Sequence, residues 1–503
     1  MHPSTHAAAT PNAPAIIMAS SGATMTYGEL DARSNQIAQL LRATGLTRGD
    51  VIVVWLDNCL DYLAICWGAQ RSGLVFVAMS TKLTSDEAAY IVADSGAKAI
   101  FAGARFADLT AGLPDTEGRF AVGGDIPGWT RFEDAAAAQP ATGIADPSPG
   151  RDMLYSSGTT GRPKGVRGPL PEGAIDAPDA LLGHVAGLYG FAPGMVYLSP
   201  APLYHAAPLR YCMAAQRFGA TVIVMERFDP EQYLALVEKY HVTHSQLVPT
   251  MFVRMLKLPD DVRARYDLSS LKVAIHAAAP CPVDVKQAML DWWGDTIFEY
   301  YASTEGGGFT AISPQEWRAR PGSVGRSLLG EIRVVGDDDQ LVGAGETGRI
   351  FFAGGPGFSY HNDPEKTAAT RGEHGATFGD IGHVDADGYL YLTDRAAYMI
   401  ISGGVNIYPQ EAENVLTMHP AVADVAVFGV PDAEMGETVK AVVQPRDPAA
   451  AGPELAAELI AFTRTRLSHV KCPTSIDFLD ELPRHDTGKL YKRLLRDRYW
   501  PVA

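Results

Sequence analysis

The sequence predicts an α/β protein. A large N-terminal domain of parallel sheets with helices, carrying a small antiparallel β subdomain, is followed by a small α+β C-terminal domain. Three observations predict it. The chain has 503 residues, more than one compact core organises, so two or more domains are expected. Helix-period stretches alternate with short, continuously apolar runs, the pattern of parallel strands buried on both faces. The texture then changes twice, near Gly330 and again after Arg395.

Thr26-Tyr27-Gly28-Glu29-Leu30 opens a helix in which Leu30, Ile37, Leu40 and Leu41 share a face, with Gly45 as its stop. Residues 51–56 read as a buried strand, 61–71 as a helix and 73–78 as a second strand. The alternation returns with strands at 221–225, 244–247 and 271–276 and helices at 230–240 and 283–292. From Gly330, short strands at 331–335, 348–352 and 388–392, separated by turn residues, predict the antiparallel subdomain. Helices at 411–416 and 453–467 and strands at 422–430, 440–444 and 475–479 then form the α+β unit, with 446–453 as a surface loop. The boundary is placed at 394–399, giving domains 1–395 and 396–503.

Composition is that of a soluble globular protein, 47% hydrophobic and 20% charged. The net charge of −16 disfavours broad nucleic-acid or anionic-membrane binding, so an anionic substrate needs a local cationic site. The five cysteines are scattered, with no C-x-x-C or Cys/His spacing, and are expected as buried free thiols in a reducing cytosol. No secretory signal and no membrane-spanning run is visible, and a cytoplasmic location is expected.

The chemistry concentrates in Tyr155-Ser156-Ser157-Gly158-Thr159-Thr160-Gly161-Arg162-Pro163-Lys164-Gly165. Glycines let backbone N–H groups approach an anion, hydroxyls add donors and Lys164 adds charge. The spacing is not that of a Walker P-loop, and a surface turn has the same composition. Further along stand His205 in Pro202-Leu203-Tyr204-His205, the nearly side-chain-free Ala277-Ala278-Ala279-Pro280, and Tyr300-Tyr301-Ala302-Ser303-Thr304-Glu305-Gly306-Gly307-Gly308. Phe378-Gly379-Asp380, Thr393-Asp394-Arg395 and Leu482-Pro483-Arg484-His485-Asp486-Thr487-Gly488-Lys489 follow.

Together and in this order, from Tyr27 to Lys489, these segments resemble the adenylate-forming superfamily: acyl- and aryl-CoA synthetases, nonribosomal-peptide adenylation domains and firefly luciferase. The resemblance implies an AMP-forming acyl-CoA ligase. ATP and a carboxylic acid give an acyl-adenylate and pyrophosphate, and coenzyme A then gives acyl-CoA and AMP. It implies that Ser156, Ser157, Gly158, Thr159, Thr160, Gly161 and Lys164 hold the β- and γ-phosphates. Thr304 would bind the α-phosphate and Glu305 would hold Mg²⁺, a hard cation that prefers oxygen ligands. Tyr300, Tyr301, Ala302 and Ser303 face the adenine, with Ala278, Ala279 and Pro280 on its other side. Asp380 takes the ribose hydroxyls, Arg395 the ribose and phosphate, and Lys489 bridges the carboxylate and the α-phosphate. The resemblance further implies a mobile C-terminal domain that would rotate about a hinge after Arg395, withdraw Lys489 and bring Ser402, Gly403 and Gly404 to the pantetheine arm. His205 would then line the junction of acyl pocket and thiol tunnel.

Three positions depart from the family pattern: Tyr398 at the hinge where Asp or Lys is usual, Phe378 where Thr is common, and Ala302 in place of Gly. None removes a group the chemistry requires. The acid expected is an apolar monocarboxylic acid, fatty or bulky and alicyclic, because Ala277, Ala278 and Gly306–Gly308 leave volume and no Asp or Lys stands ready for a polar substituent. Arg210 and Arg217 could instead select a polar acid. An aryl-CoA ligase, a stand-alone enzyme loading a carrier protein and a non-catalytic nucleotide-binding module stay open as alternatives. A homodimer is one option for the assembly.

Overall fold

Val51–Trp55 is buried at every residue, as a central strand must be. In the computed structural model it pairs in parallel with Val75–Ala78 on one side and Ala97–Gly103 on the other. Gly118–Val122, Thr130–Arg131 and Arg151–Asp152 complete a six-stranded parallel sheet. The structure describes residues 1–156, 163–177, 180–303, 305–355, 357–395, 398–403, 405–484 and 490–500.

The second sheet changes character at one strand. Ile297–Ala302 pairs in parallel with Val273–His276, beyond which lie His244–Leu247, Val196–Ser199, Thr221–Val224 and Pro14–Met18, also parallel. On its other side Ile297–Ala302 pairs antiparallel with Phe309–Ile312. From there the sheet continues antiparallel through Ser323–Leu329, Leu390–Arg395, Gly375–Val384, Gly348–Ala353 and Glu331–Val335. The predicted antiparallel subdomain is therefore joined edge to edge to a parallel sheet.

The helix Leu60–Arg71 packs between the two parallel sheets, with ten of its twelve residues buried. Gly68 allows this: a Cβ there would come within 2.5 Å of Ile37 on the helix Tyr27–Ala43. Trp67 Nε1 donates to Gln216 Oε1 at 2.6 Å, tying in the helix Ala206–Arg217. Burial of each such large side chain contributes about 1.5–3 kcal/mol. Thr26 starts Tyr27–Ala43 with a reciprocal capping box to Glu29.

A small antiparallel sheet carries Leu154–Ser156, Lys164–Arg167 and Ser359–Tyr360, with Ser156 opposite Lys164. The C-terminal part is a mixed sheet built on the hairpin Val422–Asp432 and Gly436–Pro445, with Ser475–Phe478 added in parallel. Its core joins Ile400, Val427 and Val443 to Leu416 and Leu459 from the helices Pro409–Thr417 and Pro453–Arg464.

The expected elements recur, with edges shifted for local reasons. The strand expected at 388–392 begins at Leu390, because Gly388 sits in a turn at φ 84°. Gly375–Val384 was not expected to be a strand. Gly382 lies so close to the Tyr391 carbonyl that no side chain would fit. All five cysteines are free, but only Cys66, Cys212 and Cys472 are buried, while Cys59 and Cys281 are half-buried. Burial pushes the Cys59 and Cys212 thiols up to about 12, which keeps them unreactive. Among the described residues no helix is long and apolar enough to cross a membrane.

Candidate active site

Two neighbouring parallel strands, Val273–His276 and Ile297–Ala302, end on the same side of the sheet. Ligands of open α/β sheets bind beyond such carboxyl ends. The chain leaving the first strand supplies Ala278, Ala279 and Pro280, and the second ends on Tyr300, Tyr301 and Ala302. All six line one crevice of about 1500 Å³. Ala278 holds φ 74°, a conformation that costs a residue with a Cβ about 1–3 kcal/mol.

Asp380 is buried in Gly375–Val384 and lines the same crevice. Tyr301 donates its phenol proton to Asp380 Oδ2 at 2.5 Å. Asp380 also stands opposite Arg395 in the strand register, so the two residues expected at the ribose are cross-strand neighbours. The Arg395 and Ser156 side chains lie outside the described residues, as do Ser157, Gly158, Thr159, Thr160, Gly161, Thr304, Gly404 and Lys489.

Glu305 accepts a hydrogen bond on Oε1 from Tyr360 at 2.8 Å. The ring of Tyr360 lies 5.9 Å from Lys164 Nζ, which in turn bonds Asp363 Oδ2 at 2.6 Å. Burial and the Glu305 carboxylate push the Tyr360 phenol well above its ordinary value, so it remains a donor. Its bond to Lys164 holds the Asp363 carboxyl below its ordinary range. Lys164 and Glu305 thus belong to one network through two residues that no motif marked. For magnesium the fit is that of a hard oxygen donor with its second oxygen not used by Tyr360. Among the described residues no cluster of three His, Cys, Asp or Glu could cage a metal.

Behind the crevice wall lies a buried cluster that no sequence motif marked. Lys286 Nζ bonds Glu299 Oε2 at 2.5 Å and lies 4.9 Å from the Trp317 ring, and His276 Nε2 is 3.4 Å from the same carboxylate. Burial lowers the His276 imidazole far below its usual value, and Lys286 adds to this, so the ring is neutral. Glu299 lies two residues before Tyr301 on one strand, and the cluster fixes that strand from behind.

His205 precedes the helix Ala206–Arg217 as its N-cap, half-buried, its ring 4.4 Å from that of Tyr204. Tyr204 lines the crevice and His205 stands beside it. Arg210 is paired within the protein, donating to Asp152 Oδ2 at 3.1 and 2.8 Å. Burial works against ionising Asp152, but Arg210 outweighs it and the carboxyl stays below its usual range. Arg217 is buried and bonds the Ala177 carbonyl.

The volume expected from three glycines is corrected. Gly306 is open, but a Cβ on Gly307 would meet Phe378 at 2.9 Å, and one on Gly308 would fall inside the Phe352 ring. The protein's own aromatics fill that space. Phe378, which replaces a common Thr, is one of them.

The C-terminal part turns one face to the crevice. Glu413, Arg484, Leu490 and Lys492 line it, and Arg484 and Leu490 form an antiparallel bridge on either side of the segment holding Lys489. Ser402, buried, and Gly403, at φ 55° with its N–H on the Met435 carbonyl, do not line it. At the expected hinge position, the Tyr398 ring lies 5.2 Å from Lys492 Nζ, which pairs with buried Glu413 at 2.9 Å. A tyrosine replaces the usual charge and still engages one. Lys257 reaches across from the helix end at Leu256 to the carbonyls of Thr417, at 3.3 Å, and Val422, at 2.5 Å.

Residues 4–359 match the AMP-binding enzyme family, and 411–489 match the AMP-binding enzyme C-terminal domain. Among curated proteins, a feruloyl-CoA synthase of Amycolatopsis sp is 35% identical, covering 95% of this chain and 94% of its own. The long-chain-fatty-acid–CoA ligase FadD13 of Mycobacterium tuberculosis is 31% identical, covering 98% and 97%. Among solved structures, ATP-bound MatB from Rhodopseudomonas palustris superposes with a TM-score of 0.80 at 27% identity, covering 99% of each chain.

Proposed function

Because the chain belongs to the AMP-binding enzyme family, we propose that its crevice joins an apolar carboxylic acid to the thiol of coenzyme A in two steps. In the first, a carboxylate oxygen attacks the α-phosphorus of ATP, the bond to the bridging β-oxygen breaks and pyrophosphate leaves. In the second, the thiolate attacks the acyl carbon and AMP leaves. The observation that carries this reading is the Tyr301–Asp380 hydrogen bond facing Ala278–Ala279–Pro280 across one crevice. It sets an aromatic face, a nearly side-chain-free wall and a carboxylate that can accept from a diol around one crevice.

The residues then take these parts. Tyr301 and the alanine wall sandwich the adenine, and Asp380, held by Tyr301, accepts from the ribose hydroxyls. Lys164 exchanges Asp363 for the β- and γ-phosphates when the nucleotide arrives. Magnesium, held by Glu305 and the phosphates, would offset their charge. Lys489, carried by the domain 396–503, would stabilise charge on both reacting oxygens. The Arg484 and Leu490 flanks face the crevice while Gly403 does not, which supports an arrangement poised for the first step. Rotation about Tyr398 would then bring Ser402–Gly404 to the pantetheine arm.

The pairing of Arg210 with Asp152 supports an acid with no second charge. Fatty and alicyclic acids fit that description. A second reading, an aryl acid, is favoured by one observation: Tyr211, Tyr300, Phe309 and His184 stack in sequence with interplanar angles of 15°, 14° and 8°. Pyrophosphate release with ATP and a panel of fatty, alicyclic and aryl acids separates the two. Release with none of them would refute the ligase. Adding CoA and then a carrier protein identifies the acceptor. The reaction is assigned to the cytoplasm, and sedimentation of the full chain tests the homodimer.

A further inference from the structure

From the chemistry of the crevice rim, and resting on the ligase reading above, we propose that Arg227 and Arg254 form the site for the phosphates at the nucleotide end of coenzyme A. The domain 1–395 contributes four lysines and arginines to the crevice lining: Lys82, Arg105, Arg227 and Arg254. Arg105 is neutralised by Asp57. Arg484 and Lys492, on the opposite face, are neutralised by Asp424 and Glu413. Arg227 and Arg254 differ, for neither makes an ion pair among the described residues.

Two acids adjacent in the chain, Glu226, which also lines the crevice, and Asp229, make their hydrogen bonds elsewhere. Glu226 accepts from Ser20 Oγ at 2.5 Å and from its N–H at 3.1 Å. Asp229 caps the helix Pro230–Tyr240 through the Gln232 N–H at 2.8 Å. Arg254 lies over the Phe228 ring at 4.8 Å, next in the chain to Arg227. Burial lowers Arg254, Asp229 pulls it back up, and Arg227 adds a smaller push downward. Two arginines with no ion pair among the described residues thus line one crevice in a chain of net charge −16. A phosphorylated anion supplies the pairing they lack, and guanidinium groups bind phosphate oxygens in bidentate pairs.

The location selects the thiol substrate. Asn58 Nδ2 donates to the carbonyls of Ala201, at 3.1 Å, and Met225, at 2.7 Å, and its Oδ1 accepts from the Leu203 N–H at 2.8 Å. It therefore clamps the loop leading into Tyr204 and His205 onto the chain leading into Arg227. The arginine pair is structurally tied to the expected thiol junction. The loop at Lys164 belongs to a different sheet, with Asp363 and Tyr360.

The test is calorimetric titration of CoA, 3′-dephospho-CoA and pantetheine into the full-length protein and into Arg227→Gln, Arg254→Gln and the double variant. Thermal unfolding of each serves as the fold control. The wild type should bind CoA at least tenfold more tightly than pantetheine, with dephospho-CoA between them. The double variant should bring the CoA-to-pantetheine ratio close to one. A ratio unchanged in the double variant overturns the proposal. So does a wild type that binds CoA no better than pantetheine, or one that transfers its acyl group only to a carrier protein. Pyrophosphate release, measured separately, judges the ligase reading, so the two can fail independently.

Discussion

The Tyr301 hydroxyl donates to Asp380 at 2.5 Å and so joins the residue expected to flank the adenine to the one expected to bind the ribose. They come from different strands, Ile297–Ala302 and Gly375–Val384, and meet only in the fold. The phenol orients the carboxylate before any nucleotide arrives, which reduces the ordering cost of binding.

Tyr301→Phe removes that orientation but keeps the ring. A hydrogen bond to a charged group is worth about 1.5–3 kcal/mol, so KM for ATP should rise about tenfold, with a smaller change in kcat. Asp380→Asn should cost more. Steady-state pyrophosphate release over an ATP series checks both.

The Glu305–Tyr360 bond makes a graded pair. Glu305→Gln should lower pyrophosphate release by about a hundredfold or more, because charge at the phosphates is the main barrier to the first step. Tyr360→Phe keeps the carboxylate and should cost only several-fold, raising the magnesium concentration needed for half-maximal rate. Titrating magnesium at fixed ATP separates them.

Lys257 gives a pH signature. Burial, and then Arg446, lower its ammonium to about 8 against the opposing pull of Asp424, in an arrangement where it bonds carbonyls of the C-terminal part. Released, the lysine returns to its ordinary value of about 10.4. Between pH 8 and that value the docked arrangement binds fewer protons, so docking gains as pH rises through this window and is independent of pH below it. Domain docking followed by fluorescence transfer should show this rise, and Lys257→Met should remove it.

Gly308→Ala should destabilise the fold by about 1–3 kcal/mol, because the added methyl falls within the Phe352 ring. The ranking of acids by chain length should not change, since that space is not part of the acyl pocket. Urea denaturation and the acid panel check the two parts.

Much of this was legible in the sequence. Strands buried on both faces, such as Val51–Trp55, announce themselves by apolar runs, and helices such as Pro230–Tyr240 by period and cap. The motif segments identified the crevice walls because each sits next to its own strand end. Other features depend on contacts made only in three dimensions. Tyr360 reaches Glu305 across 55 positions and Asp363 reaches Lys164 across 199, with no local pattern to mark either. Gly375–Val384, with three glycines, has little strand propensity and is held by neighbours on both sides. Gly307 and Gly308 read as empty volume because a sequence does not show which side chain occupies the space a glycine leaves.

In the proposed reaction Lys489 serves only the first half-reaction, from a C-terminal domain that would move. Lys489→Ala tests it most directly, with the two half-reactions measured apart: pyrophosphate release from ATP and acid, and conversion of a supplied acyl-adenylate to thioester. The account predicts a loss of several orders of magnitude in the first and a near-normal second. Equal loss in both would contradict it.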